Sequence, residues 1–296
     1  MAKVARRATP PRALARTLPA VVRPVEEAGP IVKWVGGKSK LLGELLARMP
    51  RFARYYEPFA GGAALFFRLA PQAGVLNDRN ADLIATYRQV AADVESVIRR
   101  LEIHRRHHGE KHYYSTRNRW NDPSVSWTPV DRAATFIYLN KTCYNGLWRV
   151  NRAGEFNVPI GRYTDPPICS PDALRAAARV LARAELRQGD YAEAVKDAGR
   201  GDLVYFDPPY VPVTVTSNFT SYTGEGFGAD DQRALADLAR RLVARGCKVM
   251  LSNSDTPFVR SIYHGLTIER VWCSRAINCN ASKRGDVAEV IALGGF

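Results

Sequence analysis

An aspartate, two prolines and a tyrosine, Asp207-Pro208-Pro209-Tyr210, follow directly on the apolar run Leu203-Val204-Tyr205-Phe206. Proline lacks the ladder donor and fixes its own φ, so the pair ends a strand and sets the backbone beyond it. The Asp207 carboxylate and the carbonyl after it then stand at the carboxyl edge of a sheet, where α/β proteins bind ligands. Two such acceptors suit an exocyclic amine on a nucleobase, whose lone pair is delocalised into the ring. Accepting its hydrogens draws the nitrogen toward tetrahedral geometry and frees that lone pair for attack. Tyr210 adds an aromatic face on which an extruded base can stack. A plain proline turn with a surface aspartate fits the same four residues.

Glu57-Pro58-Phe59-Ala60-Gly61-Gly62 reads as a glycine turn leading into a helix, which lets a ligand approach the backbone at a helix N-terminus. Asp78 closes the next apolar segment, where an acid bonds ribose hydroxyls or caps a helix. Lys33-Trp34-Val35-Gly36-Gly37-Lys38-Ser39 ends like a phosphate-binding loop, but the first glycine of that pattern falls on Val32. An ATPase is therefore rejected. Trp34 and Lys38 flanking two glycines fit instead a pocket for a charged ligand that carries an aromatic ring.

These groups need elements to hold them. Leu41, Leu42, Leu45, Leu46 and Met49 share one face of a helix over 39–49, stopped by Pro50. A strand at 55–59, a helix at 63–69 and a strand at 74–76 make an opening βαβ unit of a Rossmann-like sheet. The texture returns with strand 203–206, helix 230–244 and strand 247–251. The segments 266–271 and 287–293 read as a closing antiparallel pair. Between these halves lies a stretch rich in Arg, His, Tyr, Trp and Asn, helical over 83–101 and 131–139. The expected division is a basic arm over 1–30, a catalytic α/β body of 31–82 and 166–296, and an inserted, mostly helical module of 83–165.

Composition narrows the partners. Forty-three Lys and Arg against 29 Asp and Glu give 296 residues a charge of +14, which points to a polyanion, most often nucleic acid, or to a merely basic enzyme. Arg99 to Arg119 holds seven basic residues against Glu102 and Glu110, a face suited to phosphates. His104, His108 and His112 fall at i, i+4 and i+8, but the surrounding arginines would repel a dication, so a solvated face is expected rather than a metal site. The arm carries six basic residues and five prolines, and reads as a solvated tail or a weak nonspecific DNA contact. Five scattered cysteines without a C-x-x-C pair fit a reducing cytoplasm. No apolar run nears the roughly 18 residues a membrane span requires.

Taken in order, these motifs resemble the Dam-type DNA adenine methyltransferases, which use S-adenosylmethionine. Lys-Trp-x-Gly-Gly-Lys, Glu-Pro-Phe-x-Gly, a recognition module and Asp-Pro-Pro-Tyr follow the family's alpha arrangement from about Val32 to Leu293. Further matching blocks are Tyr144-Asn145-Gly146-Leu147-Trp148-Arg149, Gly154 to Pro159, Gly161-Arg162-Tyr163 and Asn218-Phe219-Thr220. The resemblance implies that Trp34, Lys38, Phe59, Gly61, Asp78 and Asp207 line the cofactor pocket, and that Asp207-Pro208-Pro209-Tyr210 is catalytic. It implies that Lys33, Tyr144, Asn145, Leu147, Arg149, Pro159, Arg162 and Tyr163 meet DNA. Tyr144 would then wedge beside the flipped adenine and Arg149 read a guanine. GATC is the family's usual target. Ala63 departs from the pattern by adding a methyl group where a glycine is usual, at the cofactor turn. The expectation is a monomeric, metal-independent adenine-N6 methyltransferase of duplex DNA, away from membranes. A cytosine-N4 enzyme would use the same tetrapeptide, and a DNA-binding relative without catalysis would not need Asp207 and Tyr210 intact.

Overall fold

A computed structural model describes residues 28–212, 227–274 and 286–296. Most of the basic arm, Asn218-Phe219-Thr220 and Cys279 lie outside the described residues, as do Lys283 and Arg284, a basic pair that the sequence offers as a phosphate contact or a solvated one. Seven strands form one sheet: β1 (Tyr55–Glu57), β2 (Gly74–Asp78), β3 (Ala184–Gln188), β4 (Leu203–Phe206), β5 (Lys248–Ser254), β6 (Thr267–Ser274) and β7 (Asp286–Gly294). Their order is β3-β2-β1-β4-β5-β7-β6. The first five run parallel, and β7 enters antiparallel between β5 and β6. The chain turns outward in opposite directions from β1 and β4, which pair directly. That is the topological switch point of a doubly wound sheet, and the glycine turn and the Asp-Pro-Pro-Tyr segment both leave it at the carboxyl edge.

Strand β4 shows why an unbroken apolar run makes a central parallel strand. All four residues are buried. Alternate side chains serve opposite faces: Leu203 and Tyr205 join one core cluster, while Val204 and Phe206 join the other. The first cluster continues without interruption into the helices that follow β2: α3 (Ala81–Ala92), α4 (Val94–His107), α5 (Glu110–Asn121) and α6 (Pro129–Thr142). The helix expected over 83–101 is two helices. Asp93 breaks it because its side chain accepts from the Ser96 amide and so starts α4 as an N-cap. Thr128 caps α6, with Pro129 in the first turn, where its missing N–H costs nothing. The buried helix α6 packs against α3 and α4. Among the described residues no helix is long and apolar enough to cross a membrane.

The three histidines do not share a helix face, because α4 ends at His107 and His112 belongs to α5. His104 Nδ1 lies 3.0 Å from His112 Nε2, and the His104 ring stacks on Tyr138 at 4.5 Å, while His108 Nδ1 meets the Tyr138 hydroxyl at 3.1 Å. Burial and the adjacent His112 hold the His104 pKa down at about 4. A histidine kept neutral in the fold takes up a proton more readily once unfolded, so its contribution is complete above about 6.5 and is lost as pH falls toward 4. Between pH 7 and pH 5 the wild-type protein should lose about 2 kcal/mol through this group. Melting temperatures at both pH values for wild type and His104→Gln check this. An equal decline in the two proteins would refute the assignment.

Candidate active site

The Asp207 carboxylate, emerging from β4, is held by the described residues on one oxygen only. Its Oδ1 accepts from Ser252 Oγ at 2.9 Å and pairs with Lys38 Nζ at 2.7 Å. Oδ2 has no hydrogen-bond partner among the described residues. Burial pushes the Asp207 pKa up, and the Lys38 cation pulls it back. Lys38 Nζ also donates to the Gly36 carbonyl at 2.6 Å and lies 4.4 Å from the centroid of the Tyr210 ring. Ser252, fully buried on β5, shares a further hydrogen bond with the Tyr205 hydroxyl at 3.0 Å.

The main chain around Tyr210 is clamped from beneath. Gln232 Nε2 donates to the Pro209 carbonyl at 2.7 Å, and the Val211 amide donates to Asn253 Oδ1 at 3.1 Å. The two amides join through Asn253 Nδ2, which donates to Gln232 Oε1 and to the Tyr263 hydroxyl, both at 3.0 Å.

On the other side of the switch point, the Asp78 carboxylate ties the glycine turn to the end of β2. It accepts from the Gly61 amide at 2.9 Å and the Asn80 amide at 2.8 Å, while Asn80, not Asp78, caps α3. Gly61 adopts φ +45, and a Cβ there would stand 2.6 Å from Trp34 Cδ1, so the turn accepts no side chain. Ala63, at φ +52, takes the left-handed conformation a glycine would take freely, at a cost of about 1–2 kcal/mol. The departure from glycine is therefore felt in the backbone that starts α2 (Ala64–Leu69). Phe59 stacks on Tyr191 at 5.1 Å and meets Phe227 edge-on at 5.7 Å, forming an aromatic wall. Glu57 is buried with its Oε2 accepting from the Tyr55 hydroxyl at 2.7 Å, and burial raises its pKa to about 8.

A second cluster gathers the residues expected to meet DNA. Lys33 Nζ lies 3.7 Å from the Tyr163 ring centroid and donates to the Lys141 carbonyl at 3.3 Å. The Tyr144 amide donates to the Pro159 carbonyl at 2.9 Å, which leaves the tyrosine ring exposed beside Asn145. Asn145 itself sits at φ +54, a conformation asparagine tolerates better than most residues. Leu147 is half-buried and Arg162 exposed. Arg149 is exposed and donates through Nε to Asn157 Oδ1 at 2.9 Å, which leaves the two terminal nitrogens of the guanidinium without a protein partner among the described residues. Buried Asn140 joins this cluster to Lys33: it accepts from the Lys33 amide at 2.7 Å and donates to the Lys33 carbonyl at 2.7 Å and the Gly146 carbonyl at 3.2 Å. The segment 33–38 therefore runs from the exposed cluster, past the glycine turn, to Asp207.

Residues 34–277 match the family described as D12 class N6 adenine-specific DNA methyltransferase. The chain belongs to that family. Among its relatives, the type II methyltransferase M1.LlaDCHI of Lactococcus lactis is 41% identical over 266 residues, covering 88% of this chain and 94% of that protein. The type II methyltransferase M.MjaIII of Methanocaldococcus jannaschii is 39% identical over 278 residues, or 88% of this chain and 96% of that protein. The DNA adenine methylase of Vibrio cholerae is 34% identical over 265 residues, or 88% of this chain and 94% of that protein.

For a D12-class methyltransferase, the resemblance found in the sequence motifs thus holds over nearly the whole chain, and the seven-stranded mixed sheet is the Rossmann-like architecture expected of it. Sequence reading missed Ser252, Gln232, Asn253, Tyr191 and Asn140. Only Ser252-Asn253-Ser254 left a signal: three polar residues in a row at the end of the apolar strand β5, all buried.

Proposed function

We propose that this enzyme moves a methyl group from S-adenosylmethionine to the N6 of adenine in duplex DNA, at GATC. The observation that carries the reading is the Asp207 carboxylate, with Oδ1 fixed by Lys38 and Ser252 and Oδ2 without a partner among the described residues; the second acceptor in this reading is the Pro208 carbonyl. The two acceptors take the amine hydrogens, and the adenine stacks on the face of Tyr210 opposite Lys38. When bound, the donor supplies an electrophilic methyl group on a sulfonium. Asp78 and the Gly61 turn would hold its ribose, the Phe59–Tyr191 wall its adenine ring, and Lys38 its carboxylate, with Trp34 closing the turn from above. Catalysis is then positioning and hydrogen bonding, with the nitrogen as nucleophile.

Residues 31–82 and 166–296 form the catalytic body in this reading, and 83–165 the recognition module. Helix α3 marks the seam, since it packs on β2, β3 and the helix 171–181 as well as on α6. Lys33, Tyr144, Asn145, Leu147, Arg149, Pro159, Arg162 and Tyr163 form the DNA-reading surface.

Label transferred from the donor to unmethylated DNA, followed by digestion to nucleosides, should be recovered as N6-methyladenine. Recovery as N4-methylcytosine, or no transfer, would overturn the reading. The target is tested through Arg149, whose free guanidinium fork can bond guanine O6 and N7 together. Arg149→Ala should reduce methylation of GATC by roughly 5- to 150-fold while sparing sites altered at that guanine. Rates on GATC and its single-base variants at two salt concentrations decide the matter. A uniform loss with a shallower salt slope would make Arg149 a phosphate contact.

A further inference from the structure

Strand β7 lies between β5 and β6, and Val290, Ile291, Ala292 and Leu293 on it are all buried. Glu289, one residue before this run, is half-buried and in register with Ser254 on β5 and Val271 on β6. A carboxylate beside an apolar run, in a strand with neighbours on both sides, is costly unless something compensates it. The compensation is the Tyr210 hydroxyl, which donates to Glu289 Oε2 at 3.0 Å across 79 residues of sequence.

We infer that Glu289 is a positioning residue for methyl transfer, fixing the ring of Tyr210 in the plane on which the target base stacks. The inference rests on the proposed stacking role of Tyr210. Gln232 and Asn253 already fix the main chain on both sides of that residue, so the ring keeps only its two side-chain torsions. Lys38 covers one face without restraining the ring's outer end. The bond from hydroxyl to Glu289 anchors that end, so the stacking platform is set before DNA arrives and its ordering is not charged to the flipped state.

The experiment compares Glu289→Ala, Glu289→Gln, Tyr210→Phe and the double variant Glu289→Ala/Tyr210→Phe, using a duplex that the unaltered enzyme methylates. Rates are taken at a temperature below every variant's melting transition. Single-turnover methylation should fall about tenfold in Glu289→Ala with the KM for the methyl donor unchanged. Tyr210→Phe, which removes the same bond from the other end, should fall equally, and the double variant no further. Glu289→Gln keeps an acceptor and should retain most of the rate. With 2-aminopurine at the target base, the fluorescence change on binding should be smaller in Glu289→Ala than in Glu289→Gln. A multiplicative loss in the double variant, a wild-type rate in Glu289→Ala, or equal damage by Gln and Ala would overturn the inference. If Glu289→Ala does not fold, the rate of Tyr210→Phe alone decides. Tyr210→Ala tests the underlying reading separately: near-normal transfer there would remove the stacking role itself.

Discussion

Replacing Asp207 by alanine should lower methyl transfer about a thousandfold or more while leaving DNA binding nearly unchanged. The expectation follows from how the carboxylate is held. Lys38 and Ser252 occupy Oδ1, so the group cannot swing, and Oδ2 is presented in one direction. Without it, the target amine keeps its lone pair in the ring and loses the acceptor for one hydrogen. The alanine also leaves the Lys38 ammonium, which is only 9% exposed, without its anion, so some loss of stability accompanies the loss of rate. Asp207→Asn separates the two effects. An amide oxygen still accepts from Ser252 and Lys38, so the fold is kept, whereas the amide nitrogen stands where Oδ2 accepted and only donates, so the loss of rate should remain while the loss of stability should be smaller than with alanine. Methyl incorporation and gel shift on the same preparation measure both quantities. Near-normal turnover by Asp207→Ala would end the catalytic assignment. A parallel loss of DNA binding would place the carboxylate in the DNA-reading surface instead.

The sequence carried the line of the sheet because its central strands are buried on both faces, which writes them as short apolar runs bounded by Gly, Asp and Pro. Strand β4 and the turn after β1 are legible for that reason. Strand β3 is not: Ala184–Gln188 is a partly exposed edge, and its alternating Glu185 and Arg187 answer ion pairs with Arg54 and Asp197 rather than a core. The helix 171–181 before it was equally unread. The split between α3 and α4 turned on one capping bond from Asp93, which the periodicity over 83–101 does not register. At the candidate site, the groups proposed to act on a ligand stood out as motifs because unusual residues sit side by side in the chain. The groups that hold them did not, since Ser252, Gln232, Asn253 and Asn140 act across tens of residues, and nothing in a local window marks their partners.

Asn253→Ala should cost about 3–5 kcal/mol of stability and, below its melting point, most of the methyl transfer rate, although Asn253 touches no substrate. The side chain is fully buried and uses every hydrogen-bonding position it has. Its oxygen accepts from the Val211 and Ser254 amides at 3.1 and 2.9 Å, and its nitrogen donates to Gln232 and Tyr263. Truncation strands two backbone donors, one amide oxygen and one hydroxyl, all buried except the part-buried Val211 amide, and each buried group keeps its desolvation penalty. For a chain of this size the melting temperature should drop by roughly 5–8 °C. The loss of rate has a separate origin. Val211 is the residue after the tetrapeptide proposed as catalytic, and Gln232, which fixes the Pro209 carbonyl, is itself oriented by Asn253. Freed at both points, Asp207 and Tyr210 no longer hold one geometry, and small displacements of catalytic groups are costly. Gln232→Leu tests that route directly, since it releases the Pro209 carbonyl while leaving the Asn253 bond to Val211 in place. It should lose less stability than Asn253→Ala yet still show a reduced rate with little change in DNA affinity. A melting temperature within about 2 °C of wild type for Asn253→Ala, or a wild-type rate for both variants, would show that the tetrapeptide holds its geometry without this clamp.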